Sequence, residues 1–142
     1  MNKLTITQLV DKYESNRESY LKDDYKEAQL RIDILDPFFE LLGWDIQNLN
    51  GKPTNEREVL VEESLKEDAY STTEKPDYTF RLFSEKKYYL EAKKPSVKIE
   101  IDDEPAKQIR RYGFTSKLII SVVSNFEYLA FYVCSSNVEE SI

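Results

Sequence analysis

Pro76–Lys93 reads PDYTFRLFSEKKYYLEAK, and the fold turns on this stretch. Tyr78, Phe80 and Leu82 alternate with Asp77, Thr79 and Arg81; beyond Ser84-Glu85-Lys86, Tyr88, Leu90 and Ala92 alternate with Tyr89, Glu91 and Lys93. Successive side chains of a β-strand point to opposite faces, so a period of two on both sides of a polar turn predicts a hairpin. The same period places Glu91 and Lys93 on one face of the second strand. Asp77, near the start of the antiparallel partner, can lie across from them.

That convergence carries chemistry. Two carboxylates held close together repel unless a cation lies between them, and an oxygen-only cluster suits Mg²⁺ or Mn²⁺ better than zinc. A lysine beside such a pair can help position or deprotonate a water and can neutralise charge developing on a phosphate. Metal, water and ammonium together are the apparatus of phosphodiester hydrolysis. If Asp77 and Glu91 do converge, at least one of them has a raised pKa without metal, and Asp77→Asn is expected to raise the melting temperature.

Outward from the hairpin, Leu21, Tyr25, Ala28, Ile32, Leu35, Phe39 and Leu42 recur at helical spacing, which predicts a long N-terminal amphipathic helix over about 16–42. Pro37 implies a kink or restart and Gly43 a stop. Trp44-Asp45-Ile46 reads as a short strand, Asn48–Thr54 as a loop, Val59–Val61 as a strand and Glu63–Lys75 as a loop. Asp103–Phe114 reads as a helix with Pro105 in its first turn. The apolar runs Leu118–Val123 and Tyr128–Val133 read as strands covered on both faces. Residues 1–134 then form one α/β domain, and 135–142 a tail or linker.

Composition removes several alternatives. The 142 residues contain no His and one Cys, so Ser-His-Asp and Cys-His catalysis, imidazole–metal sites and an internal disulfide are excluded. A lone Cys134 in a chain with no leader-like segment suggests a reducing, cytoplasmic setting. The three glycines are too scattered for a phosphate-cradling loop, and no apolar run is long enough to span a bilayer. Net charge is -7, yet residues 75–117 hold 11 basic and 7 acidic side chains against 9 and 17 in residues 1–74. The local field of the middle segment can therefore meet a polyanion in an acidic protein.

The text around the hairpin resembles a known family. Pro76-Asp77 followed by Glu91-Ala92-Lys93 looks like the motif of the PD-(D/E)XK nuclease superfamily. The ordered segments Tyr25–Leu30 (YKEAQL), Pro37-Phe38-Phe39, Leu42–Asp45 (LGWD), Glu91–Val97 (EAKKPSV), Gln108–Gly113 (QIRRYG) and Ser124–Glu127 (SNFE) are similar to the N-terminal nuclease domain of type I restriction subunits and type IIG restriction enzymes. The resemblance implies a three-layer α/β/α restriction-endonuclease-like fold with a mixed central sheet, and a Mg²⁺-dependent endonuclease acting on double-stranded DNA in the prokaryotic cytoplasm. Asp77 and Glu91 would be metal ligands, with Mn²⁺ able to replace Mg²⁺, and Lys93 the catalytic lysine. Glu27 would join the metal site through water, the alternative being an exposed i,i+4 pair with Arg31. Gln108 and Tyr112 would help organise the site. Lys94, Lys98, Arg110 and Arg111 would contact phosphates.

Family members carry a motor or methyltransferase and a specificity domain, so ATP or S-adenosylmethionine would act only through domains or subunits absent from this chain. A double-strand break would call for a transient dimer on DNA. The alternatives are a repair or recombination nuclease on the same scaffold and a catalytically inert module that docks DNA or a partner.

Overall fold

A computed structural model describes residues 4–62 and 75–134. All of the expected loop Glu63–Lys75 except Lys75, and the expected tail over 135–142, lie outside the described residues. The predicted hairpin is the centre of a mixed five-stranded sheet in the order β1-β2-β3-β4-β5. These strands are β1 (Val59–Val61), β2 (Tyr78–Leu82), β3 (Glu85–Ala92), β4 (Ile120–Ser124) and β5 (Leu129–Val133). Only β3 and β4 pair in parallel; the other neighbours are antiparallel. A parallel pair needs a crossover, and α5 (Glu104–Thr115) supplies it, close to the predicted helix Asp103–Phe114.

Helices cover both faces of the sheet, which places the chain in the α/β class. On one face α1 (Ile6–Ser15), α2 (Arg17–Tyr20), α3 (Glu27–Leu30) and α4 (Asp36–Leu41) bury Leu9, Leu30, Ile34, Leu35 and Phe39 against Tyr78, Phe80, Leu90 and Val122. On the other, α5 packs Ile109 and Tyr112 against Tyr89 and Val123. Gly113 of α5 makes that approach possible, since a Cβ there would stand 2.5 Å from Ser121 Oγ and 2.6 Å from Cys134 Sγ. No helix among the described residues is long and apolar enough to cross a membrane.

The N-terminal helix departs from expectation in extent and in phase. The chain breaks between α2 and α3, and helical structure then runs through residues 27–41 without stopping at Pro37. Ile32 is 64% exposed and Leu42 58%, whereas Leu30 and Ile34 are fully buried, so the stripe through Ala28, Ile32 and Leu42 is not the core face. Nine residues at about 100° each would set Leu30 and Phe39 roughly 180° apart on a regular α-helix. A π-helical turn over Arg31–Leu35, closed by the Asp36 N–H on the Arg31 carbonyl, winds more slowly and brings both to the sheet.

Pro37 accounts for that turn. It has no N–H to give the Asp33 carbonyl four residues back, and its ring crowds that carbonyl. Lys12 Nζ of α1 donates to that carbonyl oxygen at 3.0 Å.

Two other expectations are corrected. Trp44-Asp45-Ile46 is a turn and not a strand, because the Asp45 carboxylate accepts from the N–H groups of Leu49 at 2.8 Å and Asn50 at 3.1 Å and curls the chain. Trp44 instead packs edge-on to Phe80, its ring centre 4.9 Å away. β5 is an edge strand with Leu129, Phe131 and Val133 exposed, so it is not covered on both faces as its apolar sequence suggested.

The Lys12 contact can be isolated. Lys12→Met should cost about 1–2 kcal/mol, the penalty for orphaning a partly buried carbonyl. In a Pro37→Ala background that cost should fall to less than half, because the backbone N–H restored at position 37 can close onto the Asp33 carbonyl. Urea denaturation of the four proteins measures the coupling.

Candidate active site

The register of the hairpin assembles the site. Tyr78 pairs with Leu90, so Asp77, one residue before β2, lies beside Glu91, one residue before the end of β3. Both carboxylates are buried, at 9% and 6% exposure. Asp77 Oδ2 accepts the Ala92 N–H at 2.7 Å, which ties the start of β2 to the end of β3. Lys93 follows at once, its own N–H bonded to the Ser124 carbonyl at 3.0 Å, so the β3–β4 pairing runs on to the lysine.

The expected convergence of Asp77, Glu91 and Lys93 is therefore present, and Glu27 at the start of α3 joins it. Burial pushes the Glu91 carboxyl up to about 9, helped by a hydrogen bond to Asp77 and its charge and opposed by Lys93. Burial also raises Glu27, together with the charge of Asp77 and a hydrogen bond to it, while Lys93 and Arg31 pull it down. Like carboxylates this close share a proton in place of a cation.

Among the described residues no three acidic or cysteine side chains are drawn together tightly enough to cage a metal ion. The donors still fit a hard divalent cation, because Mg²⁺ is commonly held by one or two carboxylates and completes its shell with water and substrate phosphate. Asp77 and Glu91 would be the direct ligands, with Glu27 reaching through water.

Arg31 belongs to the site although the sequence suggested for it only a surface pairing with Glu27. Its Nη1 lies 3.5 Å from Asp77 Oδ1 and 3.3 Å from Glu62 Oε1, and its guanidinium sits over the Tyr78 ring at 5.0 Å. Tyr78 donates to Asp36 Oδ1 at 2.5 Å, so a second acid from α4 backs the cluster. The i,i+4 spacing of Glu27 and Arg31 showed that they share a helix face, but nothing local to the sequence showed that this face meets Asp77.

The remaining expected residues are scattered. Gln108 Nε2 donates to the Tyr112 hydroxyl at 3.1 Å on α5, and Tyr112 is buried in the core beneath that helix. Lys94 Nζ holds the Asp23 carbonyl at 2.7 Å, which anchors the break between α2 and α3 to the end of the hairpin. Lys98 and Arg111 are exposed. Arg110 is a correction: it is only 4% exposed, with its Nε donating to the Val133 carbonyl at 3.0 Å, so it fastens α5 to β5 and presents no charge to a surface phosphate.

Fold and site together define an α/β domain with a buried acidic pair and a lysine at one end of its sheet. Comparison with characterised proteins finds a type II restriction enzyme and methyltransferase of Escherichia coli, RM.Eco57I, 62% identical over 136 residues. The match takes in 96% of this chain and 14% of that protein, so this chain is related to a restriction enzyme of which it spans a small part. No family model matches the chain, and no solved structure matches it.

The site has a consequence for stability. The folded Glu91 carboxyl titrates near 9, above the ordinary carboxyl range, so its contribution is fully present below that range and is lost as pH climbs through 9. The metal-free protein should melt progressively lower between about pH 5 and 9, and Glu91→Gln should flatten that slope. Asp77 accepts a buried backbone hydrogen bond, so Asp77→Asn removes an acceptor as well as a charge, and relief should be sought at Glu91. Thermal melts in EDTA across this pH range compare the two proteins.

Proposed function

We propose that the chain is the DNA endonuclease domain of a restriction-modification enzyme, with residues 1–134 as the nuclease and 135–142 leading towards further domains. On this reading the fold is of the three-layer restriction-endonuclease kind. The observation that carries the proposal is the buried contact of Asp77 with Glu91 at the joined ends of β2 and β3, immediately followed by Lys93. The relative that is both a restriction enzyme and a methyltransferase favours a single-chain enzyme over a type I subunit, with S-adenosylmethionine and target recognition belonging to parts beyond this chain.

The substrate is the backbone of double-stranded DNA. A Mg²⁺ held by Asp77 and Glu91 would polarise the phosphoryl oxygens and lower the pKa of a water. The Ala92 N–H holds Asp77 Oδ2, so the carboxylate already stands beside Glu91 where a cation would be held. Glu91 would have to be ionised to hold such a cation, its proton passing to solvent, and the neighbouring Lys93 favours that ionised form. Lys93 Nζ donates to the phosphoryl oxygen on which charge develops as water adds to phosphorus and the P–O ester bond breaks, the departing oxygen taking a proton. Lys94, Lys98 and Arg111 follow along the chain as backbone contacts, which carry no base specificity.

Plasmid nicking with Mn²⁺ or Mg²⁺ tests this reading. Lys93→Ala should lower the rate by about 10²-fold or more, the usual effect of removing one preorganised charge. The same variant should keep the rise in melting temperature that Mn²⁺ gives the wild type, whereas Asp77→Asn should lose both nicking and the rise. Lys93→Ala nicking at the wild-type rate would overturn the assignment.

A further inference from the structure

Arg31 faces an unusual surplus of acid. Its guanidinium acts electrostatically on Asp77, Glu27 and Asp36 and pairs with Glu62, four carboxylates drawn from the helical segments and the two strand ends around it. Its side chain is 13% exposed, and its contacts to the Asp77 carboxylate, the Asp77 carbonyl and Glu62 measure 3.5, 3.5 and 3.3 Å. By contrast Arg17 grips both oxygens of Glu127 at 2.9 Å. A guanidinium with five donors that makes no short bidentate pair among the described residues, though surrounded by carboxylates, is shared among them and not committed to one.

From this we infer that Arg31 is the resident counter-ion of the Asp77–Glu91 pair, and that a divalent cation entering the site does so against its charge. The inference rests on the reading of Asp77 and Glu91 as metal ligands. Arg31 is a positioning residue in this scheme: it steadies Asp77 while the site is free of metal and limits how tightly the site loads. Its charge sets the limit. A neutral side chain at position 31 removes a repulsion between like charges, so metal affinity rises, whereas a residue that only propped Asp77 in place would weaken metal binding when removed.

The sign of the effect is the test. Mn²⁺ alone is titrated into the full chain without DNA and followed by electron paramagnetic resonance, for wild type, Arg31→Met, Arg31→Gln, Arg31→Lys and Asp77→Asn. Each variant's fold is checked by circular dichroism. Both neutral variants should bind Mn²⁺ on the order of tenfold tighter, Arg31→Lys should stay near wild type, and Asp77→Asn should lose binding. Unchanged or weaker binding in the neutral variants, with binding still lost in Asp77→Asn, overturns the role of Arg31 and leaves the metal site standing. Wild-type Mn²⁺ affinity in Asp77→Asn overturns the metal site itself, and the inference about Arg31 with it.

Discussion

The hydrogen bond from the Ala92 N–H to Asp77 Oδ2, 2.7 Å long and buried, is the constraint on which the site depends. β2 pairs with β3 from Tyr78 and Leu90 as far as an irregularity between Phe80 and Arg81, and Asp77 lies just outside that ladder. A carboxylate at a strand start would ordinarily turn to water. Here it takes the place of a ladder acceptor, and so it must remain beside Glu91 whatever the charge cost. The cost appears as the proton that Glu91 retains well above the ordinary carboxyl range. The fold thus enforces the proximity of two like groups with one backbone bond, and two cations, Lys93 and Arg31, moderate the result.

A second constraint delivers Arg31 and Glu27 to the same place. Helical structure through residues 27–41 must bury Leu30 at one end and Phe39 at the other, and Pro37 denies it a regular hydrogen-bond ladder. The π turn satisfies both demands, with Lys12 closing the one carbonyl that the proline leaves. Glu27 and Arg31, one turn apart where the irregularity begins, then face the end of the sheet while Ile32 is turned to solvent. The motif of two acids and a lysine on the hairpin is accordingly completed by an acid and a base from a helix far away in sequence.

Much of this was legible from residue patterns, and the misses share a cause. β2, β3 and α5 follow from periodicity, because strand alternation and a helix with proline in its first turn are local properties. The phase of the N-terminal stripe was misread because Leu30, Ile32, Ile34 and Leu35 offer two helical faces of comparable hydrophobicity, and the sheet chooses between them. β5 read as buried because its sequence is apolar, but edge position depends on topology. Arg110 read as a surface charge because cations are rarely buried, and only the packing of α5 on β5 shows the Val133 carbonyl that receives it. Asp45 reads as strand from its neighbours because its capping role needs backbone N–H groups that only the folded turn aligns.

The distribution of ion pairs divides the molecule into a fixed part and a labile part. Arg17, Glu127 and Tyr13 form a short network that ties α1 and α2 to the turn between β4 and β5, with distances of 2.9, 2.9 and 2.7 Å. Such geometry resists rearrangement, because each donor already sits at its optimum. At the same end of the sheet but across it, towards β1 and β2, the Arg31 guanidinium is held at 3.3–3.5 Å from several acceptors at once. Moving it costs little, since a neighbouring acid at a similar distance can take over from the one it leaves. On the proposed nuclease reading, a site that would exchange a proton for a metal and then accept a phosphate needs charges that can redistribute around a fixed pair of oxygens. The rigid backbone bond at Asp77 and the loosely shared guanidinium of Arg31 meet those two requirements separately, which is why they can coexist on one carboxylate.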